Sequence, residues 1–214
     1  MKKNKVFFDV VASLDGFIAP EGMDMVHADD PDYKQWLKLW MELQKWVSQQ
    51  RFFRENLKLG DGGETGQDNR MLEETFKRTG VSIMGKNMFD GGEKFWLEEA
   101  PFHTPVFVLT REVRKPWERP GGTTFHFVND GVESALRQAR EVAGNKDIRV
   151  AGGAKAIQQY LNAGLIDEFT IHYSPVFFGQ GIPLFANTNP DIKVKIKETV
   201  PSKEVTHVIY EVLK

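Results

Sequence analysis

The chain has 214 residues, 41% of them hydrophobic, which is enough for a sizeable buried core and consistent with one domain over residues 1–214. Its 28 basic and 30 acidic residues leave a net charge of −2, which argues against a nucleic-acid surface built on bulk positive charge, so any anion site must be local. No cysteine is present, which excludes disulfides, thiol catalysis and thiolate metal sites, and no stretch approaches the ~18 apolar residues of a membrane span. The apolar run after the basic residues 1–5 is interrupted by Asp9 and Asp15, so no secretory signal is expected and the expected location is the cytoplasm.

Val6-Phe7-Phe8-Asp9-Val10-Val11-Ala12 is a strand of the largely apolar kind that lies inside a sheet. Asp15-Gly16 turns the chain, and turn chemistry is the first reading of Asp15. Asp30-Pro31 is a helix start, and Trp36, Trp40, Leu43 and Val47 follow at helical spacing, with Leu37, Leu39 and Trp46 widening the stripe. One helix running on to Gly60 would be roughly 28 residues, so a break near Ser48-Gln49-Gln50 is expected. The tryptophan stripe reads as core or subunit contact, and secondarily as a wall of a substrate pocket. The glycine-rich residues 61–67 read as a mobile loop, and residues 69–79 as a short helix stopped by Gly80.

Val81-Ser82-Ile83-Met84 is a strand that passes into a helix through Gly85-Lys86-Asn87-Met88-Phe89. A further strand, Val106-Phe107-Val108-Leu109, ends in Thr110-Arg111, a hydroxyl and a guanidinium suited to gripping a phosphate monoester; a solvated surface arginine is the alternative. Residues 124–128 and 131–143 read as strand and helix, and the strand 148–151 meets a second helix across Gly152-Gly153, followed by Ala154 and Lys155. Such a junction leaves the first helical N–H groups unpaired beside a backbone without Cβ, where a phosphate can approach closely, although a tight turn alone also accounts for two glycines. Two junctions of this kind, each with glycine and lysine, suggest a shared polyanionic ligand. The βαβα alternation up to Leu161 predicts a parallel sheet with helices on both faces and a ligand beyond the strands' carboxyl ends. Strand 169–173, the Gly/Pro-rich residues 175–183 and a hairpin of 194–199 with 205–213 predict an antiparallel tail. The histidines at 27, 103, 126, 172 and 207 have no ligand spacing, and no metal is assigned.

Four segments in order, Ser13-Leu14-Asp15-Gly16-Phe17-Ile18-Ala19, Met84-Gly85-Lys86-Asn87-Met88-Phe89, Val150-Ala151-Gly152-Gly153-Ala154-Lys155 and Pro175-Val176-Phe177-Phe178-Gly179-Gln180-Gly181-Ile182-Pro183-Leu184-Phe185, resemble the dihydrofolate reductase-like superfamily. Within it, the chain is most similar to the reductase domain at the C-terminus of the bifunctional riboflavin-biosynthesis deaminase-reductase. The resemblance implies an α/β fold, a mostly parallel central sheet flanked by helices with a C-terminal antiparallel hairpin, carrying here a helical insertion at about residues 20–66. It implies NADPH as hydride donor, with Gly85, Lys86, Asn87 and Met88 facing phosphates and Leu109, Thr110 and Arg111 flanking the adenosine and its 2′-phosphate. Gly152, Gly153, Ala154 and Lys155 would hold the pyrophosphate, and Val11, Ala12 and Ile18 would border the nicotinamide. In dihydrofolate reductases the two glycines are joined by a cis peptide, a feature Gly152-Gly153 can share.

Family behaviour and the many large apolar residues of 36–57 together imply a homodimer. The departures bear on substrate. The helix whose carboxylate binds the pterin in folate reduction is replaced by the tryptophan-rich insertion, where Asp30 and Asp32 do not sit in the family's motif. The acidic Asp24, Asp29, Asp30 and Asp32 also argue against a phosphorylated pyrimidine. The expected activity is NADPH-dependent hydride transfer to a small heterocyclic, imine or carbonyl substrate, with Asp15 and His172 as candidate proton donors. A cofactor-binding sensory protein without a competent substrate site is the other reading.

Overall fold

In a computed structural model the described residues are 4–23 and 30–214; Asp24, His27 and Asp29 lie outside them, as do residues 1–3. The strands are β1 (Val6–Ala12), β2 (Phe17–Pro20), β3 (Thr79–Gly85), β4 (Val106–Leu109), β5 (Trp117–Arg119), β6 (Thr123–Val128), β7 (Asp147–Gly152), β8 (Glu168–Tyr173), β9 (Gly181–Pro183), β10 (Lys193–Pro201) and β11 (Thr206–Leu213). The helices are α1 (Tyr33–Leu43), α2 (Lys45–Ser48), α3 (Arg51–Asn56), α4 (Gln67–Arg78), α5 (Lys86–Glu93), α6 (Val132–Val142) and α7 (Ala154–Asn162). Nine strands form one sheet in the order β10-β11-β8-β1-β7-β3-β4-β6-β5.

Alternate residues of each inner strand are buried on opposite faces, which is why these strands read as apolar runs rather than as an alternating pattern. Val6, Phe8, Val81, Ile83, Phe107, Ile148 and Val150 pack under Ala135, Leu136 and Ala139 of α6 and Ala156, Ile157, Tyr160 and Leu161 of α7. On the other face, Met84, Val106, Val108 and Phe125 surround Phe89 of α5. Val11 joins Leu43, Trp46, Val47 and Leu72, so the helices of the insertion and α4 cover the remainder of that face. Among the described residues no helix is long and apolar enough to cross a membrane.

Several expectations are corrected. Strand β8 belongs to the parallel part: it pairs with β1 from Phe7↔Glu168 to Ala12↔Tyr173, and only its other edge, against β11, is antiparallel. The reason is the crossover through α7, which carries the chain from β7 over β1. Asp30 is not the N-cap; its carbonyl and carboxylate accept the N–H groups of Tyr33 and Asp32 in a turn that precedes α1. The insertion breaks after Ser48, where a break was expected, and again at Gln44. Gly80 does not end a helix. It lies inside β3, where an added Cβ would come within 2.6 Å of the Ala143 carbonyl oxygen, so close packing against the end of α6 explains it. Residues 61–67 include a bridge, Gln50↔Glu64, and the Gly/Pro-rich segment contributes β9, which pairs with β2. The edge strand β5 had no sequence signal in our reading.

Charges staple the amino ends of the parallel strands. Arg78 contacts Asp147 at 2.7 Å and Glu168 at 2.8 Å, and Lys5 contacts Glu168 at 2.6 Å. Burial alone would raise the Glu168 pKa, but Lys5 and Arg78 hold it down to about 2. The carboxyl ends carry the glycine junctions instead.

Candidate functional site

At those carboxyl ends the register places Met84 beside Gly152, Gly85 beside Leu109, and Leu109 beside Val128. The two strand–glycine–helix junctions therefore meet. An added Cβ at Gly85 would lie 3.8 Å from the Gly153 nitrogen and 3.9 Å from the Gly152 oxygen. Gly152 and Gly153 are joined by a cis peptide, and Gly152 sits at φ +135°, where an added Cβ would also press on Met88 Sδ at 3.2 Å. At Gly153 an added Cβ would meet no atom within 4 Å. Helices α5 and α7 start at Gly85 and Gly153 with no side-chain cap. Their first N–H groups are thus offered outward, a donor set that fits a diphosphate lying across the two glycine backbones.

Lys155, Asn87 and Arg111 are exposed and make no hydrogen bond or ion pair among the described residues. Thr110 donates its N–H to the Val128 carbonyl, and its hydroxyl oxygen accepts the Glu112 N–H, both at 3.0 Å. Lys86 departs from its expected place. Its ammonium sits 2.7 Å from Asp90 and 3.3 Å from Glu112, turned from its helix start toward the end of β4. The hydrogen bond to Asp90 is the main reason its pKa is raised. Glu112 thus pairs with Lys86 rather than with Arg111.

Strands β1 and β7 share a ladder only at Val6↔Ile148 and Phe7↔Arg149, although both run on beyond it. Farther up, a side-chain pair bridges them, Arg149 Nε to Asp9 Oδ1 at 2.6 Å. Val11 and Ala12 at the end of β1 are buried, and Ile18 is half-buried. Val11 packs with the insertion helices, whereas Ala12 and Ile18 pack with the core cluster under α6 and α7.

Neither candidate proton donor is free. Asp15 accepts hydrogen bonds from the Ser13 hydroxyl and from the N–H groups of Phe178 and Gly179, tying two loops together. Burial opposes its charge, but these donors outweigh it and hold Asp15 below its ordinary range. His172 is buried under Trp46, its ring 5.1 Å from the indole, with its Nδ1 2.6 Å from His207 Nδ1. Asp68 accepts from His207 Nε2 at 3.1 Å, so the hydrogen between the rings belongs to His172 if His207 is neutral. Burial pushes the His207 pKa down, and the neighbouring His172 adds to that. His172 Nε2 faces Asp9 Oδ2 at 3.9 Å and has no hydrogen-bond partner among the described residues. Asp9 is held well below the carboxylate range: its burial is more than offset by the Arg149 guanidinium beside it.

This buried chain from Arg149 to Asp68 was missed in the sequence. Asp9 gave the one available signal, an acid inside an apolar strand. Asp68 and His207, 139 positions apart, gave none.

Among known proteins, the chain is 35% identical over 85 residues to the uncharacterized protein YyaP of Bacillus subtilis (strain 168), a match covering 39% of this chain and 45% of that protein. The matched part is thus less than half the length of that curated relative. A protein of Shewanella sp. PV-4 described as a riboflavin biosynthesis protein superimposes with a TM-score of 0.64 at 20% identity, covering 98% of this chain and 99% of that one. Dihydrofolate reductase from Enterococcus faecalis, solved with NADP(H) and RAB-propyl, superimposes with a TM-score of 0.57 at 14% identity, covering 99% and 98%. At those identities the two structures establish a shared fold. The family model for the RibD C-terminal domain matches residues 4–208, and the chain therefore belongs to the RibD C-terminal domain family.

Proposed function

We propose that the chain is an NADPH-dependent reductase acting on a small heterocyclic, imine or carbonyl compound. The observation that supports this most is the meeting of Gly85 with Gly152-Gly153 at two uncapped helix starts, with open space where a Gly153 side chain would be. In this reading the N–H groups of Ala154 and Lys155 hold the diphosphate, Thr110 and Arg111 the 2′-phosphate, and Val11, Ala12 and Ile18 orient the nicotinamide. The dinucleotide supplies a hydride when bound. The substrate would lie between the nicotinamide and the insertion. Asp15 and His172 are engaged by neighbours, so we assign the accompanying proton to solvent.

One observation favours the alternative of an NADPH-binding sensory protein: Leu43, Trp46 and Val47 of the insertion already pack against Val11, and Ser174 bonds the Leu43 carbonyl at 2.8 Å. Fluorescence titration with NADPH and NADH, followed by NADPH oxidation assays with pterins, flavins and dicarbonyls, tests both readings. The reductase reading predicts NADPH binding and turnover of at least one class. Binding without turnover supports the alternative, and no binding of either dinucleotide contradicts both. Arg111→Ala should weaken NADPH about ten- to a hundredfold and leave NADH nearly unchanged.

We also propose a homodimer. Met41 is 49% exposed and Trp36, Trp40 and Phe53 only half-buried, so the insertion keeps apolar surface to cover. Light scattering should return twice the 24.4 kDa chain mass, and the single mass would contradict it.

A further inference from the structure

We infer that Glu112 is a specificity-determining residue of the dinucleotide site, an internal competitor for the 2′-phosphate; this rests on the NADPH reading above. Strands β3 and β4 are neighbours in register at Gly85↔Leu109, so the start of α5 and the residues following β4 share one corner of the site. That corner holds the cations Lys86 and Arg111 and the carboxylates Asp90 and Glu112, with Arg114, paired to Glu93, close enough to feel both carboxylates. Asp90 is one helical turn from Lys86 on the same helix and stays with it at 2.7 Å. Glu112 is different: it comes from the loop after β4, its side chain is 61% exposed, and it reaches Lys86 at 3.3 Å. Its backbone N–H donates to the Thr110 hydroxyl oxygen at 3.0 Å, which ties the base of its side chain to the end of β4 next to Arg111.

A phosphate monoester gripped by Arg111 and Thr110 would enter this corner as a dianion, directly against the Glu112 carboxylate. Binding must then displace Glu112 from Lys86 or bear the repulsion between the two anions. A dinucleotide with a plain ribose 2′-hydroxyl meets neither cost. Glu112 thus lowers affinity for the phosphorylated form without touching the diphosphate seat, and narrows the preference that Arg111 creates.

The test is a fluorescence titration of Glu112→Gln and the unsubstituted protein with NADPH and NADH at low and high ionic strength. The side chain is exposed and outside the core, and circular dichroism checks that the variant folds. The expected result is NADPH binding about two- to fivefold tighter in Glu112→Gln, the scale of an exposed ion pair, with NADH unchanged. The gain should shrink at high salt, where screening shortens electrostatic reach to a few ångströms. Glu112→Lys should carry the gain further. Equal shifts for both dinucleotides, or a loss of NADH affinity marking Glu112 as a ribose-diol ligand, would overturn the inference and leave the NADPH reading standing. If the unsubstituted protein binds neither dinucleotide, the NADPH reading fails and takes this inference with it.

Discussion

Gly152 and Gly153 are adjacent, yet a side chain would fail at each for a different reason. At Gly152 the positive φ and the Met88 sulfur both oppose it, so Gly152→Ala should cost about 1–3 kcal/mol of stability. At Gly153 φ is negative, as any residue allows, and the space is open, so Gly153→Val should fold and lose NADPH by about a hundredfold, because its side chain would stand where the diphosphate approaches. Thermal melts and titrations on the two variants separate these effects; a Gly153→Val protein that binds NADPH normally would reduce the pair to a turn. The glycines were legible in the sequence because strand, glycine and helix are contiguous there. Lys86 was legible only in part. Its i+4 partner Asp90 follows from helical spacing, whereas Glu112 reaches it only because β3 and β4 lie side by side.

At the scale of elements, periodicity located the main strands and helices because burial on both faces writes an unbroken apolar run. It failed where pairing is decided by topology: the parallel side of β8, the edge strand β5 and the small β2–β9 pair all depend on partners distant in sequence. The insertion was legible as amphipathic helix, but not its attachment. That attachment runs through Trp46, tilted against His172 and edge-to-face with His207, and through Asp68, which accepts from His207 and from the Ser202 hydroxyl at 2.9 Å. Asp68→Asn removes one acceptor and turns an N–H₂ toward a donor, so it should destabilise by about 1–3 kcal/mol. Calorimetry should record a lower Tm with the α4–β11 contact weakened; an unchanged Tm would show that the pair carries no net stability.

Across the whole molecule, the sheet separates two tasks: ion pairs hold the amino ends of the strands, and glycines open the carboxyl ends. The pairs set the response to acid. Glu168 falls from an ordinary 4.5 to about 2 in the fold, so its contribution, roughly 3 kcal/mol, is complete above 4.5 and is lost as pH falls toward 2. His207 lies below its ordinary 6.5, so the fold favours its neutral form; that stability is present above 6.5 and declines as pH falls below it. Urea midpoints should therefore drop in two stages on acidification, first below pH 6.5 and then more steeply below 4.5, while a flat profile from pH 7 to 4 would refute the first stage.

Whether the dinucleotide lies across Gly85 and Gly152-Gly153 is tested most directly by a crystal structure of the protein with NADPH. The diphosphate should be found on the N–H groups of Ala154 and Lys155, with the 2′-phosphate beside Arg111 and Glu112 displaced from Lys86. A dinucleotide bound elsewhere, or one whose diphosphate does not touch either helix start, would contradict that placement.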